Sequence, residues 1–377
     1  MARTDTSFPA RYASRYVDDR QMIDGAWLVL RAAGLVLSLQ AIGAALFNAG
    51  FAWQLQASTG VVRASGRHAA LAALGVLAAQ LLIGPIELGG EAASIFDGAA
   101  VHLFLTTSAA QALLLRFAGA ACVLAGLRAR IRPPYPLALA GGVLMIGSFP
   151  LTGHSVAQPH RAALAALLLV HVAVVAFWFG ALRPLRQAVA LEPRTVASVV
   201  LASFSARAVW LVPVIALAGA SLAALLLPDL EGLLRPYGLL LLAKVGLFAL
   251  LMGLAARNRL RLAPALAAGS AGAPATLRRS IALEYALICV VLGVTAVMSG
   301  SFSPAPSHDS RQASLRTHDG APHRRERCLL IEAHIIAIGF DPELPPQRGE
   351  VGRLRAGLHP RIELLQRAGA NGGIPGT

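Results

Sequence analysis

Eight apolar runs, each of about the length that crosses a bilayer, fill most of the chain before residue 301 and limit its fold more than any other feature. Charged residues make up only 14% of the sequence, whereas soluble proteins have about 25%. The sequence therefore predicts an all-α polytopic membrane protein with eight transmembrane helices, at 26–49, 69–89, 107–127, 136–152, 160–182, 208–227, 238–256 and 280–300.

The two ends of the chain differ in composition from these apolar runs. Residues 1–25 are charged and form a predicted extracytoplasmic N-terminal segment, and residues 26–300 form the predicted eight-helix membrane domain. Residues 301–377 are rich in Arg, Pro, His and Gly, and their one apolar patch, CLLIEAHIIAIGF, is too short to span a bilayer. We therefore expect 301–377 to be a basic, mostly disordered C-terminal tail.

Arginines concentrate in the loops that follow the odd-numbered spans, and the even loops contain almost none. Because basic loops stay on the cytoplasmic side, this asymmetry predicts that the odd loops face the cytoplasm and both termini face outward. The formal net charge of +14 is then explained by topology. It does not indicate a nucleic acid partner, and the expected environment is membrane lipid.

Three histidines lie in and beside the fifth predicted span, within LTGHSVAQPHRAALAALLLVHVAVVAFWFG at 151–180. His154 and His160 flank a proline-containing turn at the predicted outer mouth, and His171 lies deep in the span. On a helix His160 and His171 share a face but lie about 16 Å apart, so they cannot bind one ion. Neutral imidazole suits copper, zinc, iron or nickel. The three side chains predict an entry position and a deeper position on one metal path.

Ordinary structural roles remain open for these histidines. A buried His171 can form a hydrogen bond with a neighbouring helix. His154 and His160 can belong to a solvated loop with no metal role.

Four further side chains are candidates for the same path: Glu87, Arg116, Trp178 and Lys244. Trp178 lies seven residues beyond His171 and so on the same stripe of the helix. Glu87 is a candidate cation acceptor at the outer mouth, since ionisable groups inside a membrane are costly and usually functional. The alternatives are an interfacial anchor for Trp178 and a helix-end role for Glu87.

Arg116 and Lys244 each lie about seven residues inside the outer end of a span, the third and the seventh. The shared placement predicts a 4+4 parallel pseudo-repeat of the eight spans. Such cations can pair with carboxylates, set an electrostatic barrier, or extend to the outer interface. Glu284 is placed near the cytoplasmic start of the eighth span, where the positive end of the helix dipole explains an acidic residue.

Several phrases of the second half occur in an order typical of one family: TGH at 152–154, HVAVVAFWFGAL at 171–182, SFSARAVWLVPV at 203–214, RPYGLLLLAKVGLF at 235–248 and LRRSIALEYALICVVLGVTA at 277–296. With them the chain resembles the CopD copper-resistance family of bacterial inner-membrane proteins. The resemblance implies eight helices, outward termini and transport of copper across the inner membrane, often beside a periplasmic copper carrier of the CopC type. It also implies that His154 and His171 are the family's histidines.

Two functions other than copper transport are considered for a chain with this sequence: a non-transporting copper-handling protein and a membrane haem protein. A sensor, or a factor that delivers copper to an oxidase, would be a non-transporting copper-handling partner with a similar sequence. A membrane haem protein needs two imidazoles at one depth, and His171 has no such partner. The sequence has no nucleotide-binding phrase and no set of nucleophilic residues, so we expect no enzymatic activity.

Overall fold

The structure is a computed structural model that describes residues 8–89, 92–129, 135–152, 161–227 and 231–301. Within these ranges the chain is all-α and contains no strand. The helices are α1 (Phe8–Phe51), α2 (Thr59–Gly89), α3 (Gly98–Thr106), α4 (Ser108–Arg128), α5 (Tyr135–Gly147), α6 (Arg161–Leu191), α7 (Arg194–Leu226), α8 (Pro236–Arg257), α9 (Ala263–Ala267) and α10 (Ala273–Ser301). A π-helical turn, Asn258–Leu262, joins α8 to α9. The predicted tail lies outside the described residues, apart from Ser301.

All eight predicted spans fall on helices, and the prediction of a polytopic all-α membrane protein is confirmed. Of the described helices, seven are long and apolar enough to cross a membrane by length and composition. The fourth predicted span corresponds to a shorter apolar stretch, Tyr135–Leu151. The count of eight spans and the 4+4 repeat therefore stay predictions.

Several helices extend beyond the predicted spans. Helix α7 begins at Arg194 and not near residue 208, and α6 continues to Leu191 and not only to residue 182. Hydropathy marks only the part of a helix that lies in lipid, whereas Arg, Gln and Ala continue a helix readily into water. Pro85, Pro184 and Pro213 lie inside helices, because neighbouring helices can satisfy the backbone groups that proline frees.

Helix α1 is the centre of the bundle. It packs against α2, α5, α6 and α10, while α6 also contacts α7 and α10, and α8 packs on α10. Phe47, Phe51 and Phe179 are fully buried among these helices. In contrast, α7 and α8 expose large apolar side chains such as Trp210 (79% exposed) and Val245 (57% exposed). Exposed apolar side chains on two long helices fit a surface that faces lipid.

Helices α1 and α6 cross at two glycines. A Cβ atom built on Gly43 would collide with the backbone of Gly180, and one built on Gly180 would collide with the backbone of Gly43. The amide of Gln40 donates to the Gly180 carbonyl oxygen over 3.2 Å at the same crossing. Small residues let helices approach this closely in membranes, where packing replaces the hydrophobic effect as the driving force.

Glu192, the residue after α6, fixes the loop before α2. Its carboxylate accepts hydrogen bonds from the backbone N–H groups of Gln56, Ala57 and Ser58, and from the Ser58 hydroxyl over 2.6 Å. These donors precede the first turn of α2, where backbone N–H groups are otherwise unpaired. Although burial raises the pKa of Glu192, the four donors outweigh it and lower the pKa below its ordinary value of 4.5.

Candidate functional site

The predicted entry histidines, His154 and His160, lie outside the described residues. Their roles stay predictions. The other predicted site residues are described: Glu87, Arg116, His171, Trp178 and Lys244.

His171 lies where α6 meets α7. Its imidazole is half-buried and faces the backbone of α7 at Ile215 and at Gly219. A Cβ atom built on Gly219 would lie 3.4 Å from the ring carbon Cε1 and 3.6 Å from Nδ1. The Ile215 backbone forms a hydrogen bond with the ring, and the buried Nδ1 atom has no hydrogen bond of normal geometry among the described residues. The structure thus places a ring nitrogen without a well-formed hydrogen bond in the described ranges beside a residue that has no side chain.

Lys244 on α8 is the charged group that interacts with His171. The two side chains are close enough for their charges to interact. No carboxylate among the described residues lies within ion-pair distance of Lys244, so of the three alternatives the pairing with a carboxylate is not seen there. Instead a cation and an imidazole from two helices face the same part of the bundle.

Arg116 on α4 likewise has no carboxylate partner in the described part of the chain. Its Nε donates to the Ser148 hydroxyl over 2.7 Å, and its guanidinium lies 4.3 Å from the centre of the Phe149 ring. The Ser148 hydroxyl in turn donates to the Met145 carbonyl at the end of α5. This network fixes a positive charge at Ser148 and Phe149, directly before the segment that contains His154 and His160.

Glu87, near the end of α2, forms an ion pair with Arg31 of α1. The distance between Arg31 Nη2 and Glu87 Oε2 is 3.8 Å, and each side chain is a little over one-third exposed. Arg31 also lies 5.6 Å from the centre of the Trp27 ring. Partly exposed ion pairs contribute little to stability, and this arrangement leaves Glu87 accessible at the edge of the bundle.

Trp178 is part of a buried polar cluster that the sequence analysis missed. It is 7% exposed and hydrogen-bonds to Glu284 of α10, so it is an interior residue and not an interfacial anchor. Asn258, the first residue of the π-helical turn, donates to Glu284 Oε1. Three helical segments therefore meet at one carboxyl group, which is itself only 3% exposed.

The helix-dipole explanation of Glu284 is wrong. Helix α10 begins at Ala273, so Glu284 lies eleven residues inside it, about 16 Å from its first residue. Sequence reasoning failed here because the apolar run begins later than the helix. The available signal was one acidic residue within the apolar sequence IALEYALICVV at 281–291, because an ionisable side chain inside a membrane helix is functional by default.

A complete metal site is absent from the part of the chain that the structure describes. No group of three or more His, Cys, Asp or Glu side chains is placed to hold an ion there. Cys122 and Cys289 are free thiols on different helices. His171 can thus offer a passing ion one nitrogen ligand, with other ligands drawn from water, backbone carbonyls or residues outside the described ranges.

Models of two protein families match the chain. The model for Copper resistance protein D-like, N-terminal domain matches residues 22–161, and that for Copper resistance protein D matches residues 198–298. The two ranges together take in more than half of the 377 residues. Most of α6, including His171 and Trp178, lies between them. No curated protein and no solved structure matches the chain.

Proposed function

The chain belongs to the copper resistance protein D family, and from this premise we propose that it carries copper ions across the membrane that its long apolar helices span. The finer topology is part of the proposal. The chain crosses a bacterial inner membrane eight times, in two parallel sets of four, with both termini outside. It transports copper as a substrate and catalyses no chemical change.

The observation that supports transport best is the environment of His171. A buried ring nitrogen without a hydrogen bond of normal geometry in the described part of the chain, beside a glycine of the adjacent helix, is a place where a metal ion can gain a ligand. Imidazole suits copper in this role. The hydrogen bond between the ring and the Ile215 backbone, which a structural histidine would also make, orients the imidazole in this proposal.

The outer half of the proposed path uses His154 and His160 as entry ligands. Arg116 is held just before their segment by Ser148 and Phe149. Its fixed positive charge repels free cations, so copper passes this point only when bound by the imidazoles or delivered by a carrier. A periplasmic copper carrier of the CopC type fits that requirement as partner.

Copper uptake by cells that express variants tests this function. We expect His171→Ala to lower the rate of accumulation about tenfold or more, the scale on which metal sites respond to lost supporting contacts. His154→Ala should act in the same direction. His68→Ala, at an exposed position of α2, is the control and should leave uptake unchanged. If both histidine variants accumulate copper at the wild-type rate, transport through these residues is rejected.

A second prediction concerns the free space beside His171. Gly219→Ala adds a methyl group at ordinary contact distance from the ring, so folding should be preserved while access to Nδ1 is restricted. We expect slower copper uptake with an unchanged yield of folded protein. Gly246→Ala on α8 is the matched control, since a Cβ atom there meets nothing within 4 Å. Equal uptake by the two variants would show that the space beside Nδ1 is not used.

A further inference from the structure

Two buried glutamates in the described part of the chain differ in their surroundings. Glu192 and Glu284 are 8% and 3% exposed. Glu192 accepts hydrogen bonds from three backbone N–H groups and a hydroxyl, as an anion at a helix start does. Among the described residues, Glu284 has only the Asn258 amide and the Trp178 indole as donors, and no backbone donor.

Glu284 also lacks a positive partner among the described residues. The charged and titratable groups on the segments that hold it include Arg183, Arg257, Arg259, Tyr285 and Cys289. The same segments also carry His171, Tyr237 and Lys244, and the exposed Arg186, Arg261, Arg278 and Arg279. Arg183 hydrogen-bonds to Tyr285, Arg259 donates to Ser205, and Arg257 is exposed. The stretch of α1 that contributes to the core, residues 38–51, contains no titratable side chain. An isolated charge is therefore not compensated at this position.

Further unpaired oxygen atoms lie on the segments that hold Glu284. Asn258 Oδ1 and Ser280 Oγ are buried and have no hydrogen-bond partner in the described ranges. Ser280 precedes Glu284 by four residues, so both face the same side of α10. These atoms are hard oxygen donors, which do not suit Cu(I). The cluster therefore fits a proton better than the copper ion itself.

The π-helical turn explains how Asn258 reaches this cluster. The turn runs from Asn258 to Leu262, and the Ala263 N–H donates to the Asn258 carbonyl. Inserting one residue into a helical turn shifts the faces of the residues beside it, and such turns are frequent at functional sites. Here the turn places Asn258 against α10 while Arg257 and Arg259 on either side stay exposed.

We propose that Glu284 binds and releases a proton during the transport cycle, with Asn258 and Trp178 as its hydrogen-bond donors, and that this proton couples copper movement to the pH gradient. The coupling step rests on the proposed function. The proton moves between water and Glu284 Oε, and no electron is transferred. Trp178 and His171 are seven residues apart on α6, about 10 Å along one face, so a single helix links the proton site to the copper ligand.

Infrared difference spectra of the full-length protein in lipid vesicles test the proton site without copper. A change of pH should produce a band from a protonated carboxyl group in the wild type. Glu284→Gln should lose this band, and Glu192→Gln should keep it, because Glu192 stays ionised. Trp178→Phe, which keeps the ring volume, should shift the band by removing one donor. A band that persists in Glu284→Gln, or that Trp178→Phe leaves unshifted, would overturn the proposal.

Copper accumulation in the same vesicles under an imposed pH gradient tests coupling. With one proton exchanged for each ion, the wild-type accumulation ratio should change about tenfold for each unit of gradient. Glu284→Gln should still let copper equilibrate across the membrane, but its accumulation ratio should not change with the pH gradient. A wild type that moves no copper would reject the proposed transport and the coupling, while the infrared result would still decide the proton site. Equal responses of wild type and Glu284→Gln would reject the coupling alone.

Discussion

Gly180→Val should prevent α6 from packing against α1 and should lower the free energy of unfolding more than substitutions at Glu192 or Gly246. The added side chain would have to occupy the position of the Gly43 backbone, and backbone at the centre of a bundle cannot move aside as a flexible side chain can. The hydrogen bond from Gln40 to the Gly180 carbonyl would be lost as well. Overpacking a core commonly costs about 1–3 kcal/mol, and we expect this variant to lie at or above the upper end.

Titration of the purified protein with a denaturing detergent would measure the loss in free energy of unfolding. Gly246→Val is the matched control, because a Cβ atom on that residue of α8 meets nothing within 4 Å. We expect the control to unfold like the wild type. Equal stabilities of Gly180→Val and the wild type would mean that α1 and α6 do not cross at these glycines.

Glu192→Gln should also destabilise the protein, by about 2 kcal/mol at neutral pH, since hydrogen bonds to a charged group are each worth about 1.5–3 kcal/mol. The amide keeps one acceptor oxygen but turns N–H donors toward the backbone N–H groups of residues 56–58. The loop before α2 would then lose its contact with the end of α6. Asp97→Asn is the control. Asp97 caps α3 by accepting from the Ala99 N–H, and asparagine caps helices about equally well.

The effect of Glu192 should depend on pH with a definite sign. Its pKa is lowered in the folded protein, so its stabilising effect is complete above the ordinary value of 4.5. As the pH falls from that value through the folded pKa, the carboxylate becomes protonated and the effect disappears. The unfolding free energies of wild type and Glu192→Gln should therefore converge in acid. A difference that stays constant from neutral to acidic pH would contradict this role.

The positions of the long helices could be predicted from sequence, and their ends could not. Apolar runs located the long helices because burying polar residues in lipid is costly. The same signal says nothing about helical turns in water, which is why the starts of α7 and α10 differ from the prediction. The error in α10 had a functional consequence, since it made Glu284 look like a residue at a helix terminus.

Candidate site residues that a single helix identifies could be predicted from sequence. Contacts between residues on different helices could not. His171 was identifiable as an imidazole within an apolar run. Its neighbours, Gly219 on α7 and Lys244 on α8, depend on how three helices pack. The contact of Trp178 with Glu284 joins residues more than a hundred positions apart. The Ser148 partner of Arg116 likewise depends on the packing of α4 against α5.

The meeting of Gly43 and Gly180 has a mechanical consequence for any conformational cycle. Because no side chain separates the two backbones there, we expect α6 to tilt about this point more easily than it slides along α1, since sliding would force neighbouring atoms into collision. The glycine crossing would then be the pivot point of the helix. Displacements are then small at Trp178, two residues away, and grow toward His171, about 13 Å along the helix. We therefore expect His171 to move during such a tilt while Trp178, beside Glu284, stays nearly in place.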